Sequence, residues 1–175
     1  MSSRFEPTGG ETRYEGKLVT VRSETFRHED GEEVTREIVR HQGAVGVVAH
    51  DGERIYLVRQ PREAVGSPDL LELPAGKLDV EGEAPLETAK RELAEEIGKA
   101  AAEWEHLATF YTSPGFTDEE CHVYLATELS DAETETHDHE RIDIEARPLS
   151  ELDALIDEAR DSKTLIGLLE LRRRL

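Results

Sequence analysis

A single cysteine, Cys121, stands in the 175 residues, so no internal disulfide and no multi-cysteine zinc site can form. Long apolar runs are missing as well. The longest, AVGVVA from Ala44 to Ala49, falls far short of the ~20 residues that span a bilayer. The opening stretch MSSRFEPTGGET has neither the charged start nor the apolar core of a secretory signal. These absences lead us to expect a soluble, cytoplasmic protein. Basic charge is scarce: 21 Lys and Arg face 40 Asp and Glu, a net charge of −19. Such a surface repels nucleic-acid phosphates and anionic lipids, so neither a nucleic acid nor a membrane is an expected partner. Aromatics make up 5% of the chain, and only Lys17, Lys77, Lys90, Lys99 and Lys163 are lysines. Many carboxylates with few lysines suggest a halophilic chain, adapted to a salt-rich cytoplasm. In so acidic a background a functional carboxylate must be singled out by position, not by sign.

The length fits one compact domain with a small appendage, which buries roughly 70% of its extended surface and needs no covalent staple. Residues 1–42 read as a loose arm followed by a β-hairpin, its two alternating runs separated by the turn pair Asp30-Gly31. From residue 43 a second such pair turns at Asp51-Gly52, and Pro61 to Asp69 read as a loop. A helix is predicted over Pro85 to Ile97, with Gly98 as its C-terminal cap. Strand-like runs recur at HLATFY, CHVYLAT and IDIEARPL, and two helical segments close the chain. Strands, a helix, strands, then helices imply an α+β domain with a mixed sheet.

The predicted helix breaks a local rule. At 100° per residue Leu86, Ala89, Leu93 and Ile97 form one apolar stripe, while Glu92, Glu95 and Glu96 share another face. Like charges at i, i+3 and i+4 disfavour a helix by a few tenths of a kcal/mol each, and its last turns favour cations. Clustered carboxylate oxygens are what a hard divalent cation such as Mg²⁺ requires. A solvated acidic face relieved by an Arg91–Glu95 pair satisfies the same pattern.

The surrounding string decides between them. Gly76, Glu83, Arg91-Glu92-Leu93, Glu95-Glu96 and Gly98 resemble the Nudix box, G-x5-E-x7-R-E-U-x-E-E-x-G-U, with U a bulky aliphatic. Two departures stand out. Six residues separate Gly76 from Glu83, and Lys99 takes the place of the last aliphatic. The resemblance implies a mixed β-sheet sandwich flanked by helices, here with an N-terminal hairpin extension. It also implies an enzyme that hydrolyses a nucleoside diphosphate linked to another moiety.

Flanking residues narrow the substrate. Ser113 to Glu119 (SPGFTDE) looks like the SPG stretch of ADP-ribose pyrophosphatases, Arg59-Gln60-Pro61-Arg62 like their basic loop, and Glu72 to Gly76 (ELPAG) like their lead-in to the box. The resemblance then implies Mg²⁺-dependent cleavage of ADP-ribose to AMP and ribose 5-phosphate, with Mn²⁺ as the other candidate metal. Glu92, Glu95, Glu96, Glu140 and the Ala75 carbonyl are the implied metal ligands. Arg59, Arg62, Glu72, Pro114 and Glu119 are the implied substrate contacts. Glu95, Asp138 and Glu140 are the candidate catalytic carboxylates, and the choice of general base between Asp138 and Glu140 stays open. His137 and His139 stand beside them as candidate proton carriers. A homodimer is expected, because the hairpin is rich in apolar residues and an isolated hairpin is marginal in water. The alternatives are a Nudix hydrolase for a nucleotide sugar, NADH or a dinucleoside polyphosphate, or a non-catalytic nucleotide-sensing Nudix domain.

Overall fold

The computed structural model describes residues 4–132 and 142–175. The chain divides into two compact units, residues 1–43 with 111–120, and residues 44–110 with 121–175.

Unit 1 is a three-stranded antiparallel sheet in the order β1 (Phe5–Glu15), β2 (Thr20–His28), β3 (Glu33–Arg40). The β2–β3 hairpin turns at Asp30-Gly31, as the sequence leads one to expect, with the Gly31 N–H donating to the His28 carbonyl. The expected loose arm is instead a strand. Phe5 to Glu15 pairs along the whole of β2, with register shifts at Pro7/Gly9 and Thr12/Tyr14. Every residue of β1 is exposed, so no apolar alternation betrays it, and its proline sits on an edge strand at a bulge where a missing donor is tolerated. The Tyr111–Glu120 segment lies along β3 through one parallel bridge, Val39 to Thr117, with the Val39 N–H donating to the Phe116 carbonyl at 2.7 Å.

Unit 2 is built on a mixed sheet in the order β10 (Asp143–Pro148), β5 (Arg54–Arg62), β4 (Ala44–His50), β9 (Glu120–Asp131), β8 (Lys99–Tyr111). Two short strands join it, β6 (Ser67–Glu72) on β5 and β7 (Ala75–Lys77) on β4. Much of the expected loop between Pro61 and Asp69 is therefore strand margin around one 3₁₀ turn, Glu63–Val65. β4 runs parallel to β9 and antiparallel to β5, and it is buried on both faces, which explains its unbroken apolar run.

The two faces of β4 serve different cores. Val45, Val47 and Ala49 pack with Ala89, Leu93 and Ile97 of helix α1 (Pro85–Ile97). Val48 packs in the opposite core with Leu155 of α2 (Leu152–Glu158) and Leu168 and Leu171 of α3 (Ser162–Arg172). The result is a sheet between helices, α1 on one side and the C-terminal pair on the other. α1 starts with Pro85, whose missing N–H costs nothing there, and stops at Gly98. That residue has φ 65°, a left-handed conformation that glycine adopts freely, and its N–H closes onto Ala94 and Leu93 carbonyls. Among the described residues no helix is long and apolar enough to cross a membrane.

Candidate active site

The acidic face of α1 meets β7. Gly76 of β7 lies directly under Glu92: a Cβ built there would stand 2.0 Å from the Glu92 carboxyl carbon. Only glycine leaves room for that carboxylate against the strand, so the glycine that opens the box and its second glutamate are one steric device. The neighbouring Ala75 N–H donates to Glu96 Oε2 at 2.8 Å, which fixes the second carboxylate on the same strand.

Arg91 binds the face together. Its Nη1 donates to Glu92 Oε1 at 2.8 Å and Glu95 Oε2 at 3.0 Å, and Nη2 reaches Glu83 Oε2 at 3.3 Å. Burial works against the guanidinium charge, yet Glu83, Glu92 and Glu95 together raise its pKa. The Thr88 hydroxyl donates to the same Glu83 oxygen at 2.7 Å, and these bonds hold the Glu83 carboxyl below its ordinary range. Glu83 therefore positions Arg91, and Arg91 offsets the repulsion of the acidic turn.

Among the described residues no three acidic, histidine or cysteine side chains converge into a finished cation cage. The donor set nevertheless fits a hard cation on two counts. The cradle that a Cβ at residue 76 would fill is occupied by a carboxylate, and every candidate donor is oxygen.

A second cluster sits at the end of β6. Glu72 is 1% exposed, and Arg62 grips it edge-on, Nε to Oε1 and Nη2 to Oε2 at 2.9 Å. Lys163 Nζ at the start of α3 donates to the same Oε2. Burial alone would push the Glu72 carboxyl up, but Arg62 and Lys163 hold it below its usual value. Arg59 is engaged otherwise. Its guanidinium pairs with Glu145 and Glu158 and lies 3.8 Å from Asp69, while Glu145 and Glu158 also meet Arg147.

Pro114 and Glu119 belong to unit 1. There Pro114 lines a cleft of about 510 Å³ with Phe5, Phe26, Ile38 and Phe116. Glu119 accepts from the Thr112 hydroxyl at 2.6 Å. The same unit has a charged hub that the sequence did not signal: buried Glu24 takes both oxygens to Arg40, which also donates to Asp118 at 2.8 Å. Asp138, Glu140, His137 and His139 lie outside the described residues.

Residues 40–168 match the NUDIX domain family model. The chain belongs to the Nudix family. It is 45% identical to an ADP-ribose pyrophosphatase of Mycobacterium tuberculosis over 80% of this chain and 68% of that protein. It is 38% identical to an ADP-ribose pyrophosphatase of Bacillus subtilis, over 89% of this chain and 85% of that one. The fold matches a crystal structure of an ADP compounds hydrolase with a TM-score of 0.85 at 22% identity, covering 98% of this chain and 94% of the other. The matched domain contains the acidic face of α1, and the chain is an enzyme of the Nudix hydrolase class.

The sequence placed Lys163 at the start of the last helical segment but did not signal the contacts of Lys163, Asp161 or Thr164. Thr164 Oγ1 accepts from the Leu73 N–H at 2.9 Å, and Asp161 caps α3 through the Thr164 N–H and hydroxyl. An Asp-Ser-Lys-Thr run before an apolar helix signals a cap, but not a partner 91 residues away.

Proposed function

We propose that this chain hydrolyses the diphosphate bond of ADP-ribose, or of a close ADP-sugar, to AMP and ribose 5-phosphate. The observation that carries the reading is the 45% identity to an ADP-ribose pyrophosphatase across most of both chains. Water adds one oxygen to phosphorus as the bridging P–O bond breaks, so the two products are both phosphate monoesters.

Glu92 and Glu96, with Glu95 beside them and the Ala75 carbonyl, are the residues to hold Mg²⁺. A bound divalent cation would neutralise the diphosphate and lower the pKa of the attacking water. Arg91 holds Glu92 and Glu95 in place, and the Ala75 N–H holds Glu96. Arg62 presents its end-on fork, Nη1 with the second Nη2 hydrogen, to a phosphate oxygen pair while its other edge is held by Glu72. Glu72 then serves substrate through Arg62. Arg59, with its three carboxylates, steadies β5 against β10. The general base is Asp138 or Glu140, with Glu119 the next candidate.

A homodimer is part of the proposal. Phe26, Val34 and Ile38 line an open cleft in unit 1, and no apolar side chain of that unit is buried in the single chain among the described residues. Light scattering at micromolar concentration is expected to give twice 19.6 kDa, and a species of 19.6 kDa alone would refute it. The function itself is tested by a substrate panel with Mg²⁺, scoring AMP release from ADP-ribose, ADP-glucose, GDP-mannose, NADH and diadenosine polyphosphates. ADP-ribose is expected to give the highest kcat/KM. A tenfold preference for any non-ADP compound would replace it.

A further inference from the structure

We propose that Lys163 is a positioning residue for substrate binding: it balances the charge of Glu72 and so leaves Arg62 free to take the diphosphate. The inference rests on the reading of Arg62 as the arginine that binds substrate phosphate. Its basis is a four-membered ion cluster bridging β5, β6 and the start of α3. Glu72 is 1% exposed, Lys163 13% and Asp161 17%, whereas Arg62 is 43% exposed. The carboxylate is thus sunk beneath the guanidinium, which alone opens toward solvent.

The atoms show how the work is divided. Arg62 spends Nε and one Nη2 hydrogen on Glu72, and among the described residues nothing takes its Nη1. Lys163 donates to Glu72 Oε2 and lies 3.0 Å from Asp161 Oδ2. Two cations therefore face two carboxylates, and the cluster is neutral. Delete the ammonium and the whole cluster, Arg62 included, carries one net negative charge, in a half-buried place where water screens poorly. That charge repels an anionic ligand, and Glu72, now held by one cation, draws the guanidinium inward. Arg62 cannot supply the missing charge without surrendering its outer fork. What the inner position requires is a second positive charge, while the planar fork is needed outside.

A purely architectural role makes different demands. Thr164, held by the Asp161 cap, already ties α3 to the end of β6 through the N–H of the following Leu73, so the anchor survives without the ammonium. The test reads binding with no turnover: calorimetric titration of ADP-ribose into the full chain in EDTA, alongside kcat and KM with Mg²⁺. Lys163→Met is expected to raise Kd and KM at least tenfold with kcat within threefold, and Lys163→Arg to restore Kd to within threefold of the parent. In an Arg62→Met background, Lys163→Met is expected to add less than twofold. Should Lys163→Met melt below the assay temperature, Lys163→Gln replaces it with the same expected rise. If Arg62→Met raises Kd while Lys163→Met leaves it within twofold, the role of Lys163 is overturned and that of Arg62 stands. An equal rise with and without Arg62 also overturns it, since Lys163 would then act through the fold. An unchanged Kd in Arg62→Met overturns both readings.

Discussion

The two units of this chain are held together by different physics. Every buried apolar side chain among the described residues lies in unit 2, in two cores on opposite faces of one sheet. In unit 1 the buried side chain is a glutamate, Glu24, tied to Arg22 and Arg40, and the apolar residues of β2 and β3 stay half open. Unit 2 behaves as a domain with its own driving force. Unit 1 is a ladder of backbone bonds laced with ion pairs, which alone is marginal in water. The contrast teaches where to expect each property. The carboxylates of α1 stand on a helix packed against a dry core. The half-open apolar face of unit 1 is what the proposed homodimer would cover.

Cutting the core should give the largest effect on stability. Leu93→Ala removes a fully buried side chain from the α1 core and should cost ~2–5 kcal/mol in urea unfolding. In unit 1, Arg40→Met takes a partner from Glu24 and Asp118, but Arg40 is 40% exposed and Arg22 remains. Its cost should be smaller, about 1–2 kcal/mol after discounting for solvent screening. Equal losses from the two substitutions would erase the distinction.

Acid should act on the units in order. Arg40 is the largest influence on Glu24 and holds its carboxyl below the usual range, and Arg62 and Lys163 outweigh burial to do the same for Glu72. Asp51, which caps the β4–β5 turn by accepting from the Arg54 and Glu53 N–H groups and the Tyr56 hydroxyl, is lowered to about 2. A carboxyl depressed on folding stabilises fully above its unfolded pKa, and that share is lost as pH falls through the folded value. Stability should therefore decline from about pH 5 down to about pH 2. Hydrogen exchange should show β2 and β3 amides losing protection before those of β4, because unit 1 has no apolar reserve. Simultaneous loss would mean that charge matters equally in both.

Salt should give the smallest shift and split the units again. Forty acidic groups repel one another, and the Debye length shrinks from about 10 Å at 0.1 M to about 3 Å at 1 M. The melting temperature, measured without Mg²⁺, should rise between 0.05 and 2 M KCl. The exposed pairs of unit 1, such as Arg27 with Glu6 and Glu33, should weaken over the same range. A flat or falling melting temperature would make the acidity ordinary surface composition.

The sequence exposed what is local and periodic. α1, its glycine cap and its three-glutamate face were legible because an apolar stripe and a fixed spacing mark them residue by residue. The β2–β3 hairpin was legible from Asp30-Gly31. β1 was hidden because an edge strand exposed on both faces carries no alternation. The Glu72–Lys163 and Arg40–Asp118 pairs were hidden for another reason: their members are 91 and 78 residues apart and meet only through the fold. Gly76 was legible as the glycine that opens the box, but its steric use became plain only with Glu92 seated over it.

The central claim is that the acidic face of α1 serves chemistry at the expense of helix stability, and Glu92→Gln tests it most directly when turnover and melting are measured on the same sample. With ADP-ribose and saturating Mg²⁺ the account predicts a loss of at least about 100-fold in kcat, equivalent to about 2.7 kcal/mol of barrier. The melting temperature should be unchanged or slightly higher, since one of three like charges is gone. Near-normal turnover together with a lowered melting temperature would contradict it, and would make Glu92 a partner of Arg91 and nothing more.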